Sequence, residues 1–165
     1  MKLCLFDDFK LGVLNGDQVV DVSEAVKDIP RVGPQDVING VIAGWATYRG
    51  KLEAAAKTGR SVPVSRVKIR SPLPKPTNIV AMAVNYMEDG TRKEPAPINA
   101  FHKSASAIIG DGDTMVLPDV PATIFEGEAE VAVIIGKRAT NVSADRKSTR
   151  LNSSHNVPSR MPSSA

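Results

Sequence analysis

Three glutamates, Glu126, Glu128 and Glu130, lie two residues apart in the stretch "IFEGEAEVAVIIGKRA", residues 124–139. From Glu128 onward, valine, alanine and isoleucine run up to Gly136, which predicts a buried strand. Residues two apart in a strand share one face. Up to three carboxylates would therefore line up beside an apolar core. Like charges in close register repel one another, and burial disfavours the charged form. Two arrangements relieve that conflict. Either the face is wet, or a divalent cation makes the cluster favourable. Carboxylate oxygens alone suit Mg2+, Mn2+ or Ca2+ better than zinc. Two carboxylates rarely suffice for tight binding, so a third ligand is expected from elsewhere in the fold. Spacing alone leaves both arrangements open.

The elements that would position these residues fall into two groups. Residues 2–6 read as a strand. "KLGVLNGDQVVDVS" reads as a hairpin with apolar-alternating arms around Asn15-Gly16, a favoured type I′ pair. "SEAVKDI" predicts a short helical segment. "GPQDVINGVIAGWATYRGKLEAAAKTG" predicts one long helix, with Pro34 at its first position and Gly59 at its C-terminal cap. Val37, Ile38, Val41, Ile42, Trp45, Leu52 and Ala55 recur there at helical spacing. Gly40, Gly44 and Gly50 each cost about 1 kcal/mol relative to alanine, so tertiary contacts must hold this helix. Val64 to Ile69 predicts a further strand. The proline-rich "SPLPKP" then reads as a stiff extended connection. Beyond it, short apolar runs separated by Gly, Pro and Asp turns predict a mostly β region.

The chain has 165 residues and one cysteine, Cys4, so no internal disulfide can form. That fits a reducing compartment. No signal peptide or membrane-spanning run is evident, and a cytoplasmic protein is expected. The formal charge of +3 does not point to nucleic acid. The last 21 residues, "DRKSTRLNSSHNVPSRMPSSA", carry all of it, and the remainder is neutral with no basic stripe. This Ser-, Arg- and Asn-rich tail resembles a translated sequencing adapter. Both "DRKSTRLNSSH" and "SRMPSSA" read as adapter codons in one frame. The expectation is a non-native, disordered tail over 145–165, with the natural sequence interrupted near Ala144.

With that tail set aside, residues 72–137 resemble the fumarylacetoacetate hydrolase family, enzymes acting on acylpyruvates and related diketo acids. The matching pieces are "PTNIVAMAVNY", "PAPINAFHKSASAIIGDGDTMVLP" and "EGEAEVAVIIGK", in that order and spacing. The resemblance implies that Glu128 and Glu130 bind Mg2+ or Mn2+, with Glu126 just outside the pair. It implies that Tyr86 and Lys103 contact substrate, Lys103 holding a substrate carboxylate or developing enolate. A diketo acid can chelate the cation, which would stabilise enolate charge as a C–C bond breaks or a proton moves. On this basis the fold class is α+β. A small N-terminal α+β domain, 1–70, precedes the first part of a mainly β catalytic domain of sandwich or roll type, 71–144. The intact parent is expected to be a homodimer acting on small diketo or hydroxy-keto acids in aromatic catabolism. No nucleic acid or membrane partner is expected.

Two departures from the family pattern qualify this. Hydrolytic members carry a histidine after Asn-Tyr, and a glutamate soon after, to activate water. Here "NYMEDGTRKE" puts Asp89 at the histidine position and Arg92 near the glutamate position, with Glu88 and Glu94 out of register. Asp89 is either a weaker catalytic base or part of a turn. Its presence leaves isomerase, hydratase or decarboxylase chemistry open on hydroxymuconate-type acids. It also leaves open a non-catalytic binding protein of the same fold. His102, next to Lys103 in an extended segment, would face away and is no replacement base. The second departure is that the family's third metal ligand, a later aspartate, and a later substrate lysine have no counterpart before the tail. The chain by itself is therefore expected to be inactive. Among weaker motifs, "GDGDT" predicts a turn rather than a calcium loop. Gly136-Lys137 predicts a strand end, and Asn141-Val142-Ser143 matches a glycosylation pattern with nothing to route the chain to secretion.

Overall fold

The computed structural model describes residues 1–83, 93–94, 97–125, 127–138 and 140–143. They show mixed α/β content with two sheets. The first has five strands, β1 Lys2–Phe6, β2 Lys10–Asn15, β3 Gln18–Asp21, β4 Ser61–Pro63 and β5 Ile69–Arg70, in the order β4-β3-β2-β1-β5. All its pairings are antiparallel.

The hairpin forms where the sequence puts it, but its turn is shifted by one residue. Asn15 pairs with Gln18, so the two-residue loop is Gly16-Asp17. Gly16 has φ +60, and Asp17 is not left-handed. Glycine at the first central position with the only positive φ is the type II′ pattern rather than type I′. The β1–β2 turn is unusual in another way, because Asp7 (φ 46) and Phe9 (φ 59) are both left-handed without being glycine. Residues 68–70 hold that turn in place. Asp7 donates its backbone N–H to the Lys68 carbonyl at 2.8 Å, and its carboxylate accepts the Lys68 N–H at 2.9 Å. The Asp7 carbonyl accepts Arg70 Nε–H at 2.7 Å, and the guanidinium lies 5.3 Å from the Phe9 ring centre. Strained backbone persists where its surroundings over-determine it.

The predicted long helix is two helices, α1 Pro34–Ala43 and α2 Trp45–Thr58, broken at Gly44 (φ −98, ψ 25). Glycine supplies the low-cost break. Pro34 starts α1 as expected, and the Asp36 carboxylate accepts the N–H groups of Val32 and Gly33 at 2.8 and 2.9 Å. Those contacts satisfy donors at the helix start. "SEAVKDI" yields a single 3-10 turn, Ser23–Val26. Val64 to Ile69 is not one strand. A 3-10 turn at Val64–Arg66 separates β4 from β5. The core lies between the sheet and the helices, with Leu5, Leu11, Val22, Val26, Val41 and Leu52 almost wholly enclosed. Among the described residues no helix is long and apolar enough to cross a membrane.

The second sheet is a two-stranded antiparallel pair, β6 Ile79–Met82 and β7 Ala100–Lys103. The strand expected from Glu128 to Gly136 is absent. Residues 128–134 carry no ladder, and Ile135 makes one isolated bridge. Nor is the segment buried, since Val131, Val133 and Ile135 are 69%, 53% and 65% exposed. A strand exists only through a neighbour that takes up its N–H and C=O groups. The described residues give this segment no such neighbour. Among the described residues, the ladders of the second half are therefore β6 and β7.

Candidate functional site

Lys103 is positioned by backbone pairing on one side and by a turn on the other. It is the last residue of β7 and pairs with Ile79 of β6. The strand stops there because Ser104 caps a 3-10 turn, Ala105–Ala107, its hydroxyl accepting the Ser106 N–H at 3.3 Å. Side chains alternate along a strand, so Phe101 and Lys103 share a face. The Lys103 ammonium lies 5.8 Å from the Phe101 ring centre. His102 sits between them and pairs with Val80, which puts it on the other face.

The next segment is tied down by a clasp to the first sheet. "GDGDT" forms a turn, with Asp113 N–H donating to the Gly110 carbonyl at 3.2 Å and Gly112 left-handed at φ +72. The Asp113 carboxylate accepts the Gly110 N–H at 2.8 Å and pairs with the Lys68 ammonium at 2.6 Å. The Lys68 ammonium and the Gly110 N–H hold the Asp113 carboxyl below its ordinary range. A Cβ on Gly110 would come within 2.9 Å of the Ile69 carbonyl, so only glycine allows this approach to β5. No local pattern announces this clasp, because Lys68 and Asp113 are far apart in sequence.

Of the sequence-derived site residues, the structure brings two together. The Lys103 ammonium stands 3.6 Å from a Glu130 carboxylate oxygen, both side chains 46% exposed. Glu128 is exposed nearby in sequence. Tyr86, Asp89 and Glu126 lie outside the described residues. Glu128 and Glu130 offer open carboxylate oxygens, the donor type hard divalent cations take, and the Lys103 ammonium already stands as a cation beside one of them. By donor chemistry alone, these two carboxylates are of the type that would suit such an ion. Among the described residues no three His, Cys, Asp or Glu side chains converge on one point.

Comparison with known proteins defines the class. Residues 77–149 match the family model described as fumarylacetoacetate hydrolase, C-terminal. That match runs five residues past Ala144. The chain is 27% identical over 162 residues to maleylpyruvate hydrolase from Aquipseudomonas alcaligenes, covering 88% of this chain and 56% of that protein. It is 30% identical over 134 residues to the mitochondrial oxaloacetate tautomerase FAHD2A of Bos taurus, covering 79% of this chain and 41% of that one. Maleylpyruvate hydrolase from Sphingobium sp. SYK-6, solved with manganese(II) ion and pyruvate, superposes with a TM-score of 0.79 at 32% identity, covering 92% of this chain and 55% of that chain. The chain belongs to the fumarylacetoacetate hydrolase family. It spans about half the length of the curated relatives it matches.

Proposed function

We propose that this chain is part of a divalent-metal-dependent hydrolase that cleaves a C–C bond in small acylpyruvate-type diketo acids. The observation that carries this reading is the Lys103 ammonium beside Glu130. It joins an anion-binding group and a cation-binding group at one point, which a keto acid with its carboxylate needs. The manganese and pyruvate in the related hydrolase structure support it. Glu128 and Glu130 would hold Mg2+ or Mn2+. The bound ion would supply Lewis acidity toward the carboxylate and keto oxygens of the substrate. Lys103 orients the substrate carboxylate and adds positive charge where enolate charge develops. Tyr86 would contact the same ligand. In the overall change water adds to the acyl carbonyl and the bond to the methylene carbon breaks. The electron pair passes to the pyruvate enolate, which takes up a proton. The products are a carboxylate and pyruvate. Asp89, at the position of the family's histidine, is the candidate for holding the proton taken from water.

The architecture that goes with this reading is an α+β domain over 1–70 followed by the first part of a β-rich catalytic domain over 71–144. The remaining ligand and a second substrate lysine would come from sequence that the relatives carry beyond the aligned half. The apolar residues Val131, Val133 and Ile135 would be covered there, and two copies would associate.

A second reading is isomerisation, favoured by Asp89 in place of histidine and by the similarity to a tautomerase. The deciding experiment is Mn2+ titration with assay of acylpyruvates and oxaloacetate on the intact parent protein and its Glu130→Gln variant. Loss of metal affinity and of C–C cleavage together in Glu130→Gln is expected. Unchanged metal binding would sink the assignment. Enol–keto exchange without cleavage would select the isomerase.

A further inference from the structure

We infer that Lys103 is a resident counter-cation of the carboxylate pair, competing with the divalent ion for Glu130 until a keto-acid carboxylate draws it away. This rests on the reading of Glu128 and Glu130 as metal ligands, and adds a coupling between metal and substrate. Three observations carry it.

The first is the separation of 3.6 Å between Lys103 Nζ and Glu130 Oε2. It exceeds a directed N–H···O bond, so charge attraction holds the pair and little geometry is lost on release. The second is the anchoring of Lys103. Its backbone is fixed by pairing with Ile79 and by the turn that Ser104 caps. Only the four-carbon stem can swing, and lysine carries its charge at the tip of such a stem. In the same conformation the ammonium also lies 5.8 Å from the Phe101 ring centre, which shares its face of β7. The third is access. Each partner is about half open to water at 46%, so an ion and a small acid can both arrive.

A divalent ion at Glu130 would face like-charge repulsion from the ammonium. Removing the ammonium should tighten metal binding by roughly three- to tenfold in the absence of substrate. A keto-acid carboxylate gives Lys103 a new partner and removes the competition. Pyruvate should therefore tighten Mn2+ binding, and Mn2+ should tighten pyruvate binding by the same factor.

The test is Mn2+ titration by water-proton relaxation on the intact parent protein, with and without pyruvate. The wild-type, Lys103→Met, Lys103→Arg and Glu130→Gln proteins are compared, with thermal melts to follow folding. Lys103→Met should bind Mn2+ more tightly than wild type and show a smaller pyruvate effect. Lys103→Arg, which keeps the charge, should stay within about twofold of wild type. If Glu130→Gln weakens Mn2+ binding while Lys103→Met binds no more tightly than wild type, this inference is overturned and the metal assignment stands. If wild type and Glu130→Gln take up Mn2+ alike, the metal assignment fails and the inference fails with it.

Discussion

Lys103 and Glu130, 27 positions apart in the chain, meet with their charged groups 3.6 Å apart and with each side chain 46% exposed. Exposed ion pairs contribute about 0.2–1 kcal/mol at most. Lys103→Met and Glu130→Gln should therefore each shift the urea unfolding free energy by less than about 1 kcal/mol. A larger loss in either would mean that the pair holds the fold rather than serving a ligand.

The clasp between Asp113 and Lys68 predicts a pH dependence. The Asp113 carboxyl is held below its ordinary range by Lys68 and the Gly110 N–H. A group whose folded pKa is depressed contributes stability above its unfolded pKa of about 3.9 and loses it as pH falls through the folded value. Wild type should thus be more heat-resistant than Asp113→Asn near neutrality. The gap between their melting temperatures should close as pH drops below about 4. A gap that is constant down to strong acid would show that the charge of Asp113 is not what matters.

Two helix glycines should respond oppositely to alanine. A Cβ on Gly40 of α1 would sit 2.4 Å from Ile29 Cγ2, whereas Gly50 of α2 has open space around it. Helix propensity favours alanine by about 1 kcal/mol at each, but overpacking costs about 1–3 kcal/mol. Gly50→Ala should stabilise and Gly40→Ala should destabilise in urea titrations. Stabilisation by both would show that Ile29 yields without cost.

Cys4 is buried in β1, and burial pushes its thiol up to about 11. The thiolate is the reactive form, so almost none is present at neutral pH. An aromatic disulfide reagent should label native protein slowly at about pH 8 and label one thiol per chain rapidly once urea unfolds it. Fast labelling of the native state would mean that β1 opens readily.

Local signals reached the sheet and the helices well. The Asn15-Gly16 signal located the hairpin, yet the turn took Gly16-Asp17, because register is settled by cross-strand pairing that the dipeptide does not report. The helical period ran unbroken through Gly44 because a period counts apolar positions and is blind to one residue's ψ. Glu130 and Lys103, singled out in the sequence for separate reasons, stand 3.6 Å apart, a juxtaposition that no local spacing reports. The strand expected around them is missing for a plain reason. Valines and isoleucines record a preference for an extended backbone, but the ladder belongs to whichever neighbour takes up the hydrogen bonds.

Among the described residues, all but one of the enclosed apolar side chains lie between Cys4 and Leu52, Ala81 being the exception, while Lys103, Glu128 and Glu130 are exposed. Amide hydrogen exchange should divide the chain accordingly, with slow amides in β1–β3 and α1 and fast ones beyond β7. Substitutions that retune chemistry then fall where they cost little folding free energy. Such a division leaves mutation free to explore new substrates in one half while the other keeps the molecule folded, a physical basis for evolvability.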